Sequence, residues 1–131
     1  MGGHGALTLA FKYPEKFVSV SAFAPICAPS QCPWGEKAFS NYLGEDRAEW
    51  AKHDATELVK AKGGLYPDIL IDQGFNDQFY NQLNPALFQQ ACDAVNQKLT
   101  LREHQGYDHG YYFIQSFVDD HLQFHAVQLN P

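Results

Sequence analysis

Three short strand-forming runs in this chain are set apart by stretches long enough to hold crossover helices. Phe17 to Ala24 is rich in Val, Phe and Ala and stops at Pro25. Asp68 to Asp72 carries Ile69-Leu70-Ile71, and Leu99 to Glu103 alternates apolar with polar residues. Between the first two runs lie helical stretches around Lys37–Leu43 and Ala48–Ala61, broken by Gly63-Gly64. Between the last two, Asn84-Pro85 opens a helix as N-cap and first residue, with Leu87, Phe88, Ala91, Cys92 and Val95 on its core face. Gly2 to Tyr13 places Ala6, Leu7, Ala10 and Phe11 on one face before Pro14, and residues 111–129 align Phe113, Ile114, Phe117, Val118 and Leu122. Strands separated in this way pair in parallel rather than as hairpins. The expected class is therefore α/β, with about three parallel strands and crossover helices.

Length and composition narrow the function classes. A chain of 131 residues that is 45% apolar can build one core, and excludes whole-chain disorder. The net charge of −6, with basic residues scattered and only Lys60 and Lys62 close together, excludes a nucleic-acid partner. No apolar run approaches the roughly 18 residues that span a bilayer, and Met1-Gly2-Gly3-His4-Gly5 lacks the basic and apolar regions of a signal peptide. No membrane partner is expected. Cys27, Cys32 and Cys92 fit neither a disulfide framework nor a zinc knuckle, so they read as reduced cysteines of a cytoplasmic protein, with a Cys27–Cys32 bridge as the alternative.

In open α/β sheets the site lies at the carboxyl ends of the strands. Two loops leaving strand ends carry titratable residues: Gln73-Gly74-Phe75-Asn76-Asp77 and Gly106-Tyr107-Asp108-His109-Gly110. A carboxylate from one and an imidazole from the other form the acid–base pair of an acyl-transfer triad. The acid accepts from His Nδ1–H and supports the imidazolium, while Nε2 faces the nucleophile. Asp72, Asp77 and Asp108 all compete for the acid, and His109 is the base. No G-x-S-x-G elbow occurs to supply the nucleophile. Ser19 and Ser21 lie within a strand, Ser30 in a Pro-rich loop and Ser40 on a helix; Cys27, at a strand end, is either a thiolate nucleophile or a small buried residue. His4 reads as a packing or supporting residue. His121 and His125 are one helical turn apart, but without a third ligand they read as a solvated helix face rather than a metal site. Tyr111-Tyr112-Phe113 reads as core.

The opening Met1-Gly2-Gly3-His4-Gly5-Ala6-Leu7 resembles the downstream half of the G-H-S-M-G-G-H-G-A-L elbow of the S-formylglutathione hydrolase (esterase D) family. Further stretches agree in order: Ser19 to Cys27, Cys32-Pro33-Trp34-Gly35, Asp68 to Gly74 and Gly106 to Phe113. The resemblance implies a partial α/β-hydrolase fold, residues 1–131 being the C-terminal portion that begins just after the elbow serine. It implies hydrolysis of S-formylglutathione to glutathione and formate in formaldehyde detoxification, without cofactor or metal. Asp77 becomes the triad acid and His109 the base, with Asp72 a structural partner. Trp34 lines an acyl or glutathione pocket, and the backbone nitrogen of Met1 is an oxyanion donor.

By the same resemblance the nucleophilic serine stands just before Met1. Loss of a triad nucleophile costs about 10⁶ in turnover, so the chain alone is expected to be inert. The strand that feeds the elbow would pair beside residues 17–24, whose apolar edge is then left open and aggregation-prone. The missing N-terminal half or a second copy of the chain are the partners that would cover it. The alternative to a hydrolase piece is a non-catalytic interaction or remnant module that keeps the half-fold.

Overall fold

A computed structural model describes all 131 residues. In chain order the elements are α1 (Gly2–Lys12), β1 (Val20–Phe23), α2 (Pro33–Leu43), α3 (Arg47–Ala51), α4 (Ala55–Lys62), β2 (Ile69–Gly74), α5 (Tyr80–Leu83), α6 (Pro85–Ala94), β3 (Leu99–His104) and α7 (Tyr111–Leu129), with a 3₁₀ turn at Pro29–Gln31. The three strands form one parallel sheet in the order β1-β2-β3, with Val20 opposite Ile69 and Ile69 opposite Leu99. This is the expected α/β architecture. Alternation along the strands divides the molecule into two layers. Val20, Ala22, Ile69 and Ile71 point to the face covered by α1, α4 and α6, where Leu7, Phe11, Val59 and Phe88 complete the main core. A smaller apolar cluster of Ala24, Ile26, Cys32, Leu83 and Phe113 lies toward the carboxyl ends of the strands.

Several boundaries differ from those expected. The stretch from Ala48 to Ala61 is two helices, because Asp54 leaves the helical path to cap α4. Its fully buried carboxylate accepts from Thr56 N–H at 2.9 Å, Glu57 N–H at 3.2 Å and Ser30 N–H at 2.9 Å. Helix α2 begins at Pro33 rather than Lys37, since proline fits the first helical position. Gly35 there lies so close to the Pro29 carbonyl that a Cβ would come within 1.9 Å of its oxygen. On α7, Phe113 is buried, but Val118 and Leu122 are exposed, as are Tyr111 and Tyr112. The Tyr-Tyr pair is therefore not core.

The face that α7 covers is polar where the sequence suggested an apolar stripe. Asp72, fully buried in the middle of the sheet, accepts from Arg102 Nε at 2.7 Å and Nη2 at 2.6 Å, from His104 Nε2 at 2.9 Å and from His121 Nε2 at 2.8 Å. The relay continues outward. His121 Nδ1 lies 2.8 Å from Ser21 Oγ, which lies 2.8 Å from His125 Nε2, and His125 Nδ1 lies 2.7 Å from Ser19 Oγ. Phe23 stacks on the His121 ring at 3.8 Å, and Arg102 Nη1 reaches Asp120 on α7 at 2.8 Å. His121 and His125 are thus not a solvated face: they dock α7 onto β1 and β2, and burial lowers the pKa of His125. For Asp72, burial alone would favour the neutral acid. Hydrogen bonds from His121, Arg102 and His104 outweigh it and hold the carboxyl well below the usual carboxylate range.

Strand β1 pairs only with β2, so its outer edge is open, and Phe17 and Val18 beside it are exposed. An apolar groove of about 220 Å³ runs along it, lined by Ala6, Leu9, Phe17 and Val20 with Ser19 and His125. The opposite edge strand, β3, carries the charged or polar Arg102, Glu103 and His104 rather than a continuous apolar run.

Two outcomes follow from this layer. Asp72→Asn should destabilise the fold by roughly 2–3 kcal/mol, at the low end for a buried pair because Arg102 reaches water. Because the folded carboxyl is the stronger acid, its contribution is complete above about pH 4 and drains as pH falls below it. Urea unfolding at several pH values should therefore show a shallower acid limb in the variant; an equally steep limb would refute the assignment. Val18→Lys should reduce self-association, measured by light scattering against concentration, without lowering the melting temperature.

Candidate active site

Strand β2 runs two residues further than expected and ends at Gly74, where β2 and β3 release their loops side by side. Gly74 is required there: a Cβ would lie 2.2 Å from the Tyr107 carbonyl oxygen. That closeness lets the loops bond directly. Phe75 N–H donates to His104 O at 2.9 Å and Asn76 N–H to Tyr107 O at 3.0 Å. Asn76 Oδ1 accepts from Gly106 N–H at 2.7 Å, and Gln78 Oε1 from His109 N–H at 3.2 Å.

The result is a short contact between the two residues singled out at the sequence level. Asp77 Oδ2 lies 2.7 Å from His109 Nδ1. The Asp77 side chain is fully buried, whereas that of His109 is 39% exposed. Asp77 Oδ1 accepts from Phe79 N–H at 2.8 Å, and Oδ2 also accepts from Gln73 Nε2 at 3.0 Å. The carboxylate is thus fixed by three donors, while His109 Nε2 makes no hydrogen bond in the chain and its part-exposed ring lines a small pocket with Ala24, Gly110, Phe113 and Ile114. The rival acids are placed elsewhere. Asp72 is saturated by the α7 clamp, and Asp108 is exposed and makes no side-chain hydrogen bond.

An aromatic wall extends from the histidine. The edge of Phe79 meets the His109 ring at 5.3 Å, and Trp34 packs on Phe79 at 4.8 Å. Trp34 then borders an apolar cavity of about 220 Å³ shared with Met1, His4, Ile26 and Phe39. Met1 is exposed at the start of α1, and close packing of Gly3 against Phe23 O and Pro25 sets that helix end near the carboxyl end of β1. His4 sits half-buried on the cavity wall with burial lowering its pKa and Nδ1 unpartnered. The three cysteines are free and buried, and burial pushes the Cys27 thiol far up, which removes it as a thiolate nucleophile. No serine stands on a tight turn near His109 Nε2: Ser19 and Ser21 belong to the α7 relay.

Gln73, Asn76, Gln78 and Phe79 are the residues whose contribution the sequence did not disclose. A polar Gln just after the apolar run Ile69-Leu70-Ile71 is the one available signal.

No helix is long and apolar enough to cross a membrane. Comparison with known proteins identifies relatives of the whole chain. The S-formylglutathione hydrolase of Arabidopsis thaliana is 55% identical over 130 residues, which are 98% of this chain and 46% of that protein. The solved structure of an S-formylglutathione hydrolase from Agrobacterium tumefaciens superposes with a TM-score of 0.93 at 52% identity, covering 98% of this chain and 47% of that one. The apo S-formylglutathione hydrolase of Staphylococcus aureus, at 18% identity and a TM-score of 0.73, covers 95% of this chain and 50% of its own, and shares the α/β-hydrolase fold. The chain spans about half the length of the curated relatives it matches. With residues 1–124 matching the Esterase family model, the chain belongs to the esterase family.

Proposed function

We propose that this chain carries the acid and the base of an S-formylglutathione hydrolase whose serine lies in the part of the relatives' length that it does not span. The observation that carries the reading is the 2.7 Å Asp77–His109 contact just past the carboxyl end of the sheet, with Nε2 left without a hydrogen bond in the chain. In this reading residues 1–131 are the C-terminal portion of the hydrolase domain, starting just after the elbow serine. The serine Oγ attacks the thioester carbonyl and its proton passes to His109 Nε2, while Asp77 holds Nδ1–H and supports the imidazolium. The peptide N–H of Met1, once joined to the serine, is one oxyanion donor. Collapse of the tetrahedral species expels the glutathione thiolate, which takes the proton from His109. Water, deprotonated by the same nitrogen, then attacks the formyl-serine carbonyl; cleavage of the Oγ–carbonyl bond releases formate, and His109 returns the proton to the serine oxygen.

Trp34 and the cavity it shares with Met1 receive the substrate. The strand that leads to the serine covers the open edge of β1, in preference to a second copy of this chain. Free, buried cysteines fit a reducing, cytoplasmic setting for formaldehyde detoxification.

The test is S-formylglutathione hydrolysis by the purified chain, alone and mixed with a separately made N-terminal half of a relative. The mixture should turn over and the chain alone should not. In the mixture His109→Ala should cost about 10⁶-fold and Asp77→Ala about 10⁴-fold in kcat. Turnover by the chain alone, or a mixture indifferent to His109→Ala, would refute the assignment.

A further inference from the structure

Gln73 is fully buried, yet one atom of its amide has no partner. Nε2 donates to Gly74 O at 3.1 Å and to Asp77 Oδ2 at 3.0 Å, while Oε1 is buried without a hydrogen bond. The amide cannot be turned over. Reversal would set its oxygen against a carbonyl and a carboxylate oxygen and leave the NH₂ group buried without acceptors. An apolar side chain of similar volume would fill the space without an orphaned oxygen of its own, and Gly74 O would keep the Asp77 N–H at 3.4 Å, so packing alone does not call for an amide here.

The donor arrives at a particular atom. Asp77 Oδ2 is the oxygen that contacts His109 Nδ1, and Gln73 is the second donor to it. A carboxylate oxygen that also accepts from an amide is less basic toward its other donor. It is also held in the plane in which the imidazole must lie. An arginine or lysine in this place would do the same but would repel the imidazolium formed during proton transfer. A neutral donor avoids that.

We infer that Gln73 is a positioning residue of the acid–base pair, its amide sharing Asp77 Oδ2 with His109 so as to aim the carboxylate and temper its pull on the Nδ1 proton. The inference rests on the proposed roles of Asp77 and His109, but its physical content can be read in the chain by itself.

The experiment is low-temperature proton NMR of the 131-residue chain, following the downfield Nδ1–H resonance of His109, assigned by its loss in His109→Ala. Gln73→Met should move that resonance further downfield, since His109 no longer shares Oδ2, and should melt at the same or a higher temperature. Gln73→Glu should give a pH-dependent position: close to wild type where the new carboxyl is protonated and donates as the amide does, displaced where it ionises. An unmoved resonance in both folded variants, or loss of folding in both, would overturn the inference and leave Gln73 as a core-filling residue. A shifted resonance in a chain whose reconstituted mixture does not hydrolyse the thioester would support it while removing the hydrolase reading.

Discussion

A single buried carboxylate holds this half-fold together. Asp72 sits in the central strand and receives Arg102 and His104 from β3 and His121 from α7. Through Ser21 and the stacked Phe23 its relay also reaches β1. One ionised side chain therefore ties every strand of the sheet to the helix that follows the His109 loop. Removing that charge would leave a guanidinium facing a desolvated carboxamide, and α7, with exposed Val118 and Leu122, has little apolar area to replace the lost contacts.

The same sheet carries aspartate–histidine contacts at two sites with opposite destinies. At Asp72 both oxygens are fully used, His121 is buried, and its second nitrogen is occupied by Ser21. Nothing reactive can approach. At Asp77 the carboxylate is as deeply buried, but its histidine is part-exposed and keeps one nitrogen unbonded. The difference arises from position. Asp72 lies inside the ladder, under a helix, whereas Asp77 and His109 lie on loops just past the strand ends, where α/β folds place their chemistry. Close approach of Gly74 to Tyr107 brings those loops together, and Tyr107 in turn packs on Phe113 and Phe117 of α7.

The α/β class, the three parallel strands and the two polar loops that carry Asp77 and His109 were legible because they rest on local patterns: apolar periodicity, proline and glycine stops, and polar loops after strands; only the family resemblance set Asp77 apart from Asp72 and Asp108. What escaped rests on distant partners. His121 and His125 look like a solvated face because nothing nearby announces that Asp72, Ser21 and Ser19, far away in the chain, will meet them. The split of α3 from α4 depends on Asp54 capping a helix end while also holding Ser30. Gln73 stayed hidden for a similar reason, since its meaning comes from an orphaned oxygen that only coordinates reveal.

The central claim is a division of labour: this chain provides base and acid, and another segment provides the nucleophile. Intact-mass analysis after exposure to a fluorophosphonate tests it most directly, with this chain mixed with a separately made N-terminal half of a relative. The account predicts a single adduct on the added half, formed only when this chain is present with His109 intact. An adduct on this chain, or labelling of the added half that ignores His109→Ala, would contradict it.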